Sequence, residues 1–176
     1  QNIVHSGAGM SAAAMRSRRE VGERSYPTSG GQHQAGGYEV ITAMGLEAAC
    51  QKTSEEALAL LDAPVLTEQT TNLILSGDLV SLQLHESIGH PLELDRVYGS
   101  ERNFSGTSFA TPEKRGTLKY GSDLVTVTSD PSAPGGLGTY GYDDEGTPAV
   151  PVALIKNGVL VDYLSSRESA ARLGTT

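Results

Sequence analysis

A chain of 176 residues with 38% hydrophobic content is long enough to bury a core of its own. Its formal charge of −8 argues against a general nucleic-acid binder, which presents a basic face, and no apolar run reaches the 18 residues that a membrane span begins to require. The single cysteine, Cys50, excludes an internal disulfide and fits a reducing compartment, so a cytoplasmic protein without direct nucleic-acid or membrane contact is expected.

The opening QNIVHSGAGMSAAAMRSRRE lacks the apolar core of a signal peptide. Beginning at Gln1 and stopping at Thr176 just after a helical start, the chain reads as a fragment of a longer protein. Residues 1–14 carry no assignable pattern. Residues 15–41 read as exposed strands around a mobile Gly-rich loop at 28–37. Arg16, Arg18, Arg19 and Arg24 could grip a carboxylate; a solvated strand face is the plainer reading. His5 and His33 lie in Gly/Ser-rich segments and read as solvent-exposed.

Between Ile41 and Leu61, Ala43, Leu46, Ala49, Cys50, Ala57, Leu58 and Leu61 recur at helical spacing, with Ser54 as a candidate N-cap before Glu55 and Glu56. Cys50 falls on the apolar side of that pattern and reads as a packed thiol rather than a ligand. Pro64 stops the helix. Leu73-Ile74-Leu75 reads as a buried strand, and Ser76-Gly77-Asp78 as the turn and N-cap of the next helix.

That helix carries LVSLQLHESIGHPLELD, in which His85 and His90 bracket Glu86. In the familiar H-E-x-x-H the imidazoles stand four apart on one helix face and share a metal. Here they stand five apart, and a regular helix would splay them by roughly 140°. Leu79, Val80, Leu82, Leu84 and Ile88 make the helix apolar around much of its circumference, so it is expected to be largely buried. Buried ionisable groups need a partner or a ligand. Gly89 allows unusual backbone angles, and Pro91 disfavours the α region at His90. The helix should therefore break or widen to the π form at Gly89-His90, bringing both rings to one ion. Zinc suits imidazole ligation, with Glu86 beside it to deprotonate a water.

Residues 98–123 are loop-rich, and LVTVTSD (124–130) reads as a strand. A Gly-rich loop follows; its GGLGTYG (135–141) lacks the lysine and strand-to-helix context of a phosphate cradle. Residues 151–164 form two strands around Asn157-Gly158, the dipeptide a type I′ turn prefers. Residues 165–174 form a helix capped by Ser165 or Ser166 and by Gly174. The pattern predicts an α+β fold: a mixed sheet with packed helices, a motif helix after a buried strand, and a β-hairpin near the C-terminus. Residues 1–56 would form a partial N-terminal domain of strands, mobile loop and a helix.

HESIGHPLELD, with ALALLDAPVLTEQTTNLILSGDLVSLQLHE before it and YDDEGTPAVPVALIKNGVLVDYLSSRESAARLG after it, resembles the TldD/PmbA metallopeptidase family, on its TldD-like branch. The resemblance runs from about Ala57 to the end and makes 57–176 part of the metallopeptidase core. It implies that His85 and His90 bind Zn2+, that Glu86 is the general base of peptide hydrolysis, and that a third ligand, a cysteine, lies outside this chain; Cys50 stands before the motif and does not take that role. The fragment alone would then be inactive. Implied substrates are unfolded or unstructured peptides, and the implied partners are a second copy or a PmbA-like subunit in a homo- or heterodimer. Asp143, Asp144 and Glu145 are candidates for a second carboxylate cluster near the metal. Rival readings are a non-catalytic peptide-binding or scaffold subunit, and a DNA gyrase modulator acting by protein contact.

Overall fold

The computed structural model describes residues 5–18 and 22–174, and among residues 5–34 only the backbone. The chain divides into two compact units: residues 1–70 with 133–139, and residues 71–132 with 140–176. The architecture is α+β.

In the first unit, β1 (His5–Arg18) and β2 (Gly22–Ala35) form an antiparallel ladder in continuous register from His5 opposite Ala35 to Arg18 opposite Gly22. The segment expected to be a loop at 28–37 is therefore strand as far as Ala35. Backbone pairing along a ladder of this length supplies what the Gly-rich composition does not. The environments of Arg16, Arg18, Arg19, Arg24, His5 and His33 lie outside the described residues. After α1 (Tyr38–Ala43), Gly45 enters the left-handed region at φ 59° and starts α2 (Leu46–Asp62), which packs on the hairpin.

Three features of α2 correct the expectations. Ser54 is an interior helical residue, because the helix begins at Leu46, nine residues earlier than a Ser54 cap would allow. The buried stripe is Thr53, Ala57 and Leu61, spaced four apart on one face. Cys50 lies a turn before that stripe and is exposed. The end is as expected: Ala63, already extended, closes the helix ahead of Pro64.

The second unit builds its core from Ile88, Leu92, Leu94, Ala110, Leu154, Ile155, Leu160 and Tyr163. Its three-stranded antiparallel sheet runs β3 (Val127–Ser129), β4 (Val152–Lys156), β5 (Val159–Leu160), with a register shift between Val127 and Thr128. The hairpin turn has positive φ at both Asn157 (49°) and Gly158 (77°), as a type I′ turn demands. The strand expected over 124–130 is confined to its last half. α6 (Arg167–Leu173) starts with a Ser166–Ser169 capping box and ends at left-handed Gly174.

Leu73-Ile74-Leu75 is not a buried strand. The three side chains are exposed, Ile74 fully, and the run pairs with no strand among the described residues. Ser76 does cap α3 (Gly77–Leu84), its hydroxyl accepting from the Leu79 amide at 3.4 Å. The buried-helix expectation fails, since Leu79, Leu82 and Leu84 are exposed. Apolar residues all round a helix cannot by themselves say what faces it. No described helix is long and apolar enough to cross a membrane.

Candidate metal centre

The α-helical ladder of α3 ends at Leu84, and residues 85–89 continue as a π turn (His85–Gly89). The His90 amide donates to the His85 carbonyl, the i→i+5 bond that defines this form. One further 3₁₀ turn, His90–Leu92, then ends at extended Glu93, from which α4 (Leu94–Val97) departs, followed by the short α5 (Arg102–Ser105). The widening, rather than a break, answers the five-residue spacing. Two expected causes are not at work. His90 stays helical at φ −57°, ψ −43°, and Gly89 at φ −53° uses no freedom peculiar to glycine.

Proline acts instead through the hydrogen bond it cannot make. In an α-helix the Ser87 carbonyl would accept from the amide of residue 91, and Pro91 has none. The Tyr120 hydroxyl takes that place, donating to the Ser87 carbonyl at 2.6 Å. The Pro91 carbonyl accepts from the Ser108 hydroxyl, also at 2.6 Å. Ser108 Oγ in turn accepts from the amide of Ala110, a fully buried residue. Tyr120 is desolvated at this position, which raises its phenol above the usual value. The turn is thus braced from two loops of the same core.

The consequence is convergence. The rings of His85 and His90 lie edge to face with centroids 4.3 Å apart. One ligand atom from each of His85, Glu86 and His90 falls within 4.8 Å of the others, a grouping that could hold a metal ion once the side chains draw in to its ligand distances. Glu86 Oε1 stands 3.8 Å from His85 Nε2. The cluster is open to solvent on one side, with side-chain exposure of 58% at His85 and 61% at Glu86 against 35% at His90. Two imidazoles and a carboxylate are a donor set of the kind that zinc accepts, and the three-residue cluster leaves room for further ligands.

Two residues at this site escaped the sequence. Tyr120 has no local signal, being thirty-three residues from the carbonyl it serves. Glu93, whose carboxylate lies 3.1 Å from His90 Nδ1, had one: an acid three residues after a candidate ligand, across a turn.

Asp143, Asp144 and Glu145 do not join the cluster. Asp143 closes its own turn, Oδ1 accepting from the Glu145 amide at 2.9 Å and the Thr147 amide at 2.7 Å. Glu145 caps α6 from outside, accepting from the Arg167 amide at 2.9 Å, while the Arg167 guanidinium reaches the Glu145 carbonyl. Glu145 thereby ties the acidic turn to a helix start, where negative charge is favoured.

Residues 68–176 match the family model described as the PmbA/TldA metallopeptidase C-terminal domain. A metalloprotease of Methanothermobacter thermautotrophicus is 33% identical over 139 residues, 79% of this chain and 29% of that protein. A metalloprotease of Methanocaldococcus jannaschii is 35% identical over 122 residues, 69% of this chain and 25% of that protein. The chain therefore spans less than a third of the length of these relatives. A Thermotoga maritima crystal structure, of a candidate modulator of a DNA gyrase, overlays 97% of the chain and 36% of its own, with TM-score 0.62 and 22% identity. At that identity the likeness concerns the fold.

Proposed function

Because the chain belongs to the TldD/PmbA family of metallopeptidases, we propose that His85 and His90 hold a zinc ion, with a third protein ligand from outside residues 1–176, and that Glu86 is the general base of peptide-bond hydrolysis. The observation that carries this reading is the π turn, which brings two histidines five apart within 4.3 Å of each other with Glu86 in the same cluster. On this reading residues 57–176 are part of the catalytic core and residues 1–56 part of a preceding domain.

Bound zinc would supply Lewis acidity, lowering the pKa of water and polarising a carbonyl. Among the described residues Glu86 makes no strong hydrogen bond, and it is largely solvent-facing, so its carboxylate can take a proton from the attacking water and return it to the leaving amine. His90 is the more sheltered ligand and His85 the more open one. The exposed cluster suits an extended, unstructured peptide better than a small molecule, which would call for a closed pocket. The working protein would be the longer, cytoplasmic chain, as a homodimer or with a PmbA-like subunit.

The test is metal analysis and peptidase assay of the intact protein with an unstructured fluorogenic peptide. Glu86→Gln should retain zinc and lose at least about 100-fold in rate, as removal of a general base does. His85→Ala and His90→Ala should lose both. Absence of stoichiometric zinc, or full activity in Glu86→Gln, would refute the proposal; peptide binding without cleavage in the wild type would point to the scaffold reading.

A further inference from the structure

We propose that Glu93 is the positioning residue that holds His90 in its ligating tautomer, an inference that rests on the zinc reading above. Its Oε1 lies 3.1 Å from His90 Nδ1. An ionised carboxylate can only accept, so this bond keeps the ring proton on Nδ1 and leaves the Nε2 lone pair for a metal. Without that partner a neutral imidazole divides between two tautomers, and the one protonated at Nε2 cannot ligate through that nitrogen.

Three observations separate this role from that of an ordinary surface acid. Glu93 occupies the N-cap position of α4, yet its side chain makes no capping bond; the carboxylate is turned to His90 instead. Its backbone cannot drift, because Leu92 and Leu94 on either side are 0% and 1% exposed. The Leu164 amide donates to the Leu92 carbonyl at 2.8 Å, and the Leu94 amide to the Leu164 carbonyl at 2.9 Å. Finally, Arg96 Nε is buried without a hydrogen-bond partner among the described residues, and it faces the second oxygen of Glu93 at 3.6 Å. The same guanidinium is anchored to Glu101 at 2.9 Å, and Glu101 accepts from the Ser105 hydroxyl at 2.6 Å. The chain His90–Glu93–Arg96–Glu101 thus runs from a metal ligand into a fixed ionic network, and the otherwise costly Arg96 nitrogen has a use in aiming the Glu93 carboxylate.

The experiment is zinc titration of the intact protein against a chromogenic chelator, paired with the visible absorption of the cobalt(II)-substituted form. Glu93→Ala should weaken zinc binding roughly 10- to 100-fold and alter the cobalt band envelope. Glu93→Gln, nearly isosteric and still able to accept through its amide oxygen, should fall between Glu93→Ala and wild type, and it carries the test if Glu93→Ala does not fold. Glu93→Asp, a methylene too short to span the contact, should not rescue. Zinc affinity within twofold of wild type in Glu93→Gln and in any folded Glu93→Ala, with unchanged cobalt bands, would overturn the role of Glu93 while His85→Ala and His90→Ala still lost metal. If those two histidine variants also bound zinc normally, the zinc reading itself would fall, and this inference with it.

Discussion

Replacing Gly158 by alanine should unfold the second unit's hairpin by more than its turn geometry alone explains. Gly158 holds φ 77°, where an L side chain costs about 1–2 kcal/mol. An added Cβ would also sit 2.4 Å from the Ser122 carbonyl oxygen and 2.5 Å from that of Gly121, well inside van der Waals contact. Both obstacles are backbone, so relief requires the hairpin to move off residues 121–122. That movement strains the Gly158 amide's bond to the Val125 carbonyl and the Tyr120 amide's bond to the Gly158 carbonyl, each 2.7 Å. Two such bonds contribute about 1–3 kcal/mol together, for a total of about 2–5 kcal/mol. Gly174 is the control: its φ is 79°, and an added Cβ there meets nothing within 4 Å. Gly174→Ala should therefore cost only the backbone share, about 1–2 kcal/mol. Urea denaturation of both variants beside wild type measures the difference. The effect should also reach the metal centre, because Tyr120 is bonded to Gly158 at one end and to Ser87 of the π turn at the other. On the proposed zinc reading, Gly158→Ala should weaken metal binding where Gly174→Ala does not. Equal urea midpoints for the two variants would refute the steric account.

Two further expectations concern the same region. Gly89→Ala should be neutral or stabilising by about 0.5–1 kcal/mol, since Gly89 is helical and the nearest obstacle to a Cβ, the Leu84 carbonyl oxygen, is at 3.8 Å; a large loss in thermal unfolding would show that the turn needs glycine after all. Burial raises the phenol pKa of both Tyr120 and Tyr163 above the ordinary 10.0, so the folded state holds these protons more tightly than the unfolded chain. Their contribution to stability is complete below about pH 10 and is lost as pH climbs through the raised folded values. Urea midpoints should fall above pH 10, and Tyr120→Phe, at a cost of about 0.5–1.5 kcal/mol near neutrality from the lost bond to Ser87, should fall less steeply. A Tyr120→Phe profile parallel to wild type above pH 10 would contradict this.

Features decided within a few residues were legible in the sequence. Asn157-Gly158, Ser166, Gly174, Ser76 and the stop before Pro64 all follow from local backbone chemistry, and the widened turn followed from spacing that a regular helix cannot serve. What depended on neighbours was not. Leu73–Leu75 and the leucines of α3 are apolar, but burial is a property of the opposing surface, which a helix or strand does not encode about itself. Cys50 and Thr53 exchanged places for the same reason: the apolar residue is exposed and the polar one buried, because the hairpin chooses the face of α2 that it covers. The local bias that Pro91 imposes on His90 was real but weak. It yielded to a turn stabilised by Tyr120 and Ser108, contacts spanning thirty-three and seventeen residues of sequence.

The single additional residue in the π turn also acts as a phase shift. A helix advances about 100° per residue, so widening at His85–Gly89 rotates the helical residues that follow, as far as Leu92, by about that angle relative to an uninterrupted α-helix. Before the turn, Leu79, Leu82 and Leu84 lie outside the core; after it, Leu92 and Leu94 seat fully within it. Shortening the motif by one residue, to the commoner four-residue spacing, would realign the histidines on a regular helix and swing Leu92 out of its socket. The length of the motif and the seating of the core are thus set by the same inserted residue, and neither can change alone.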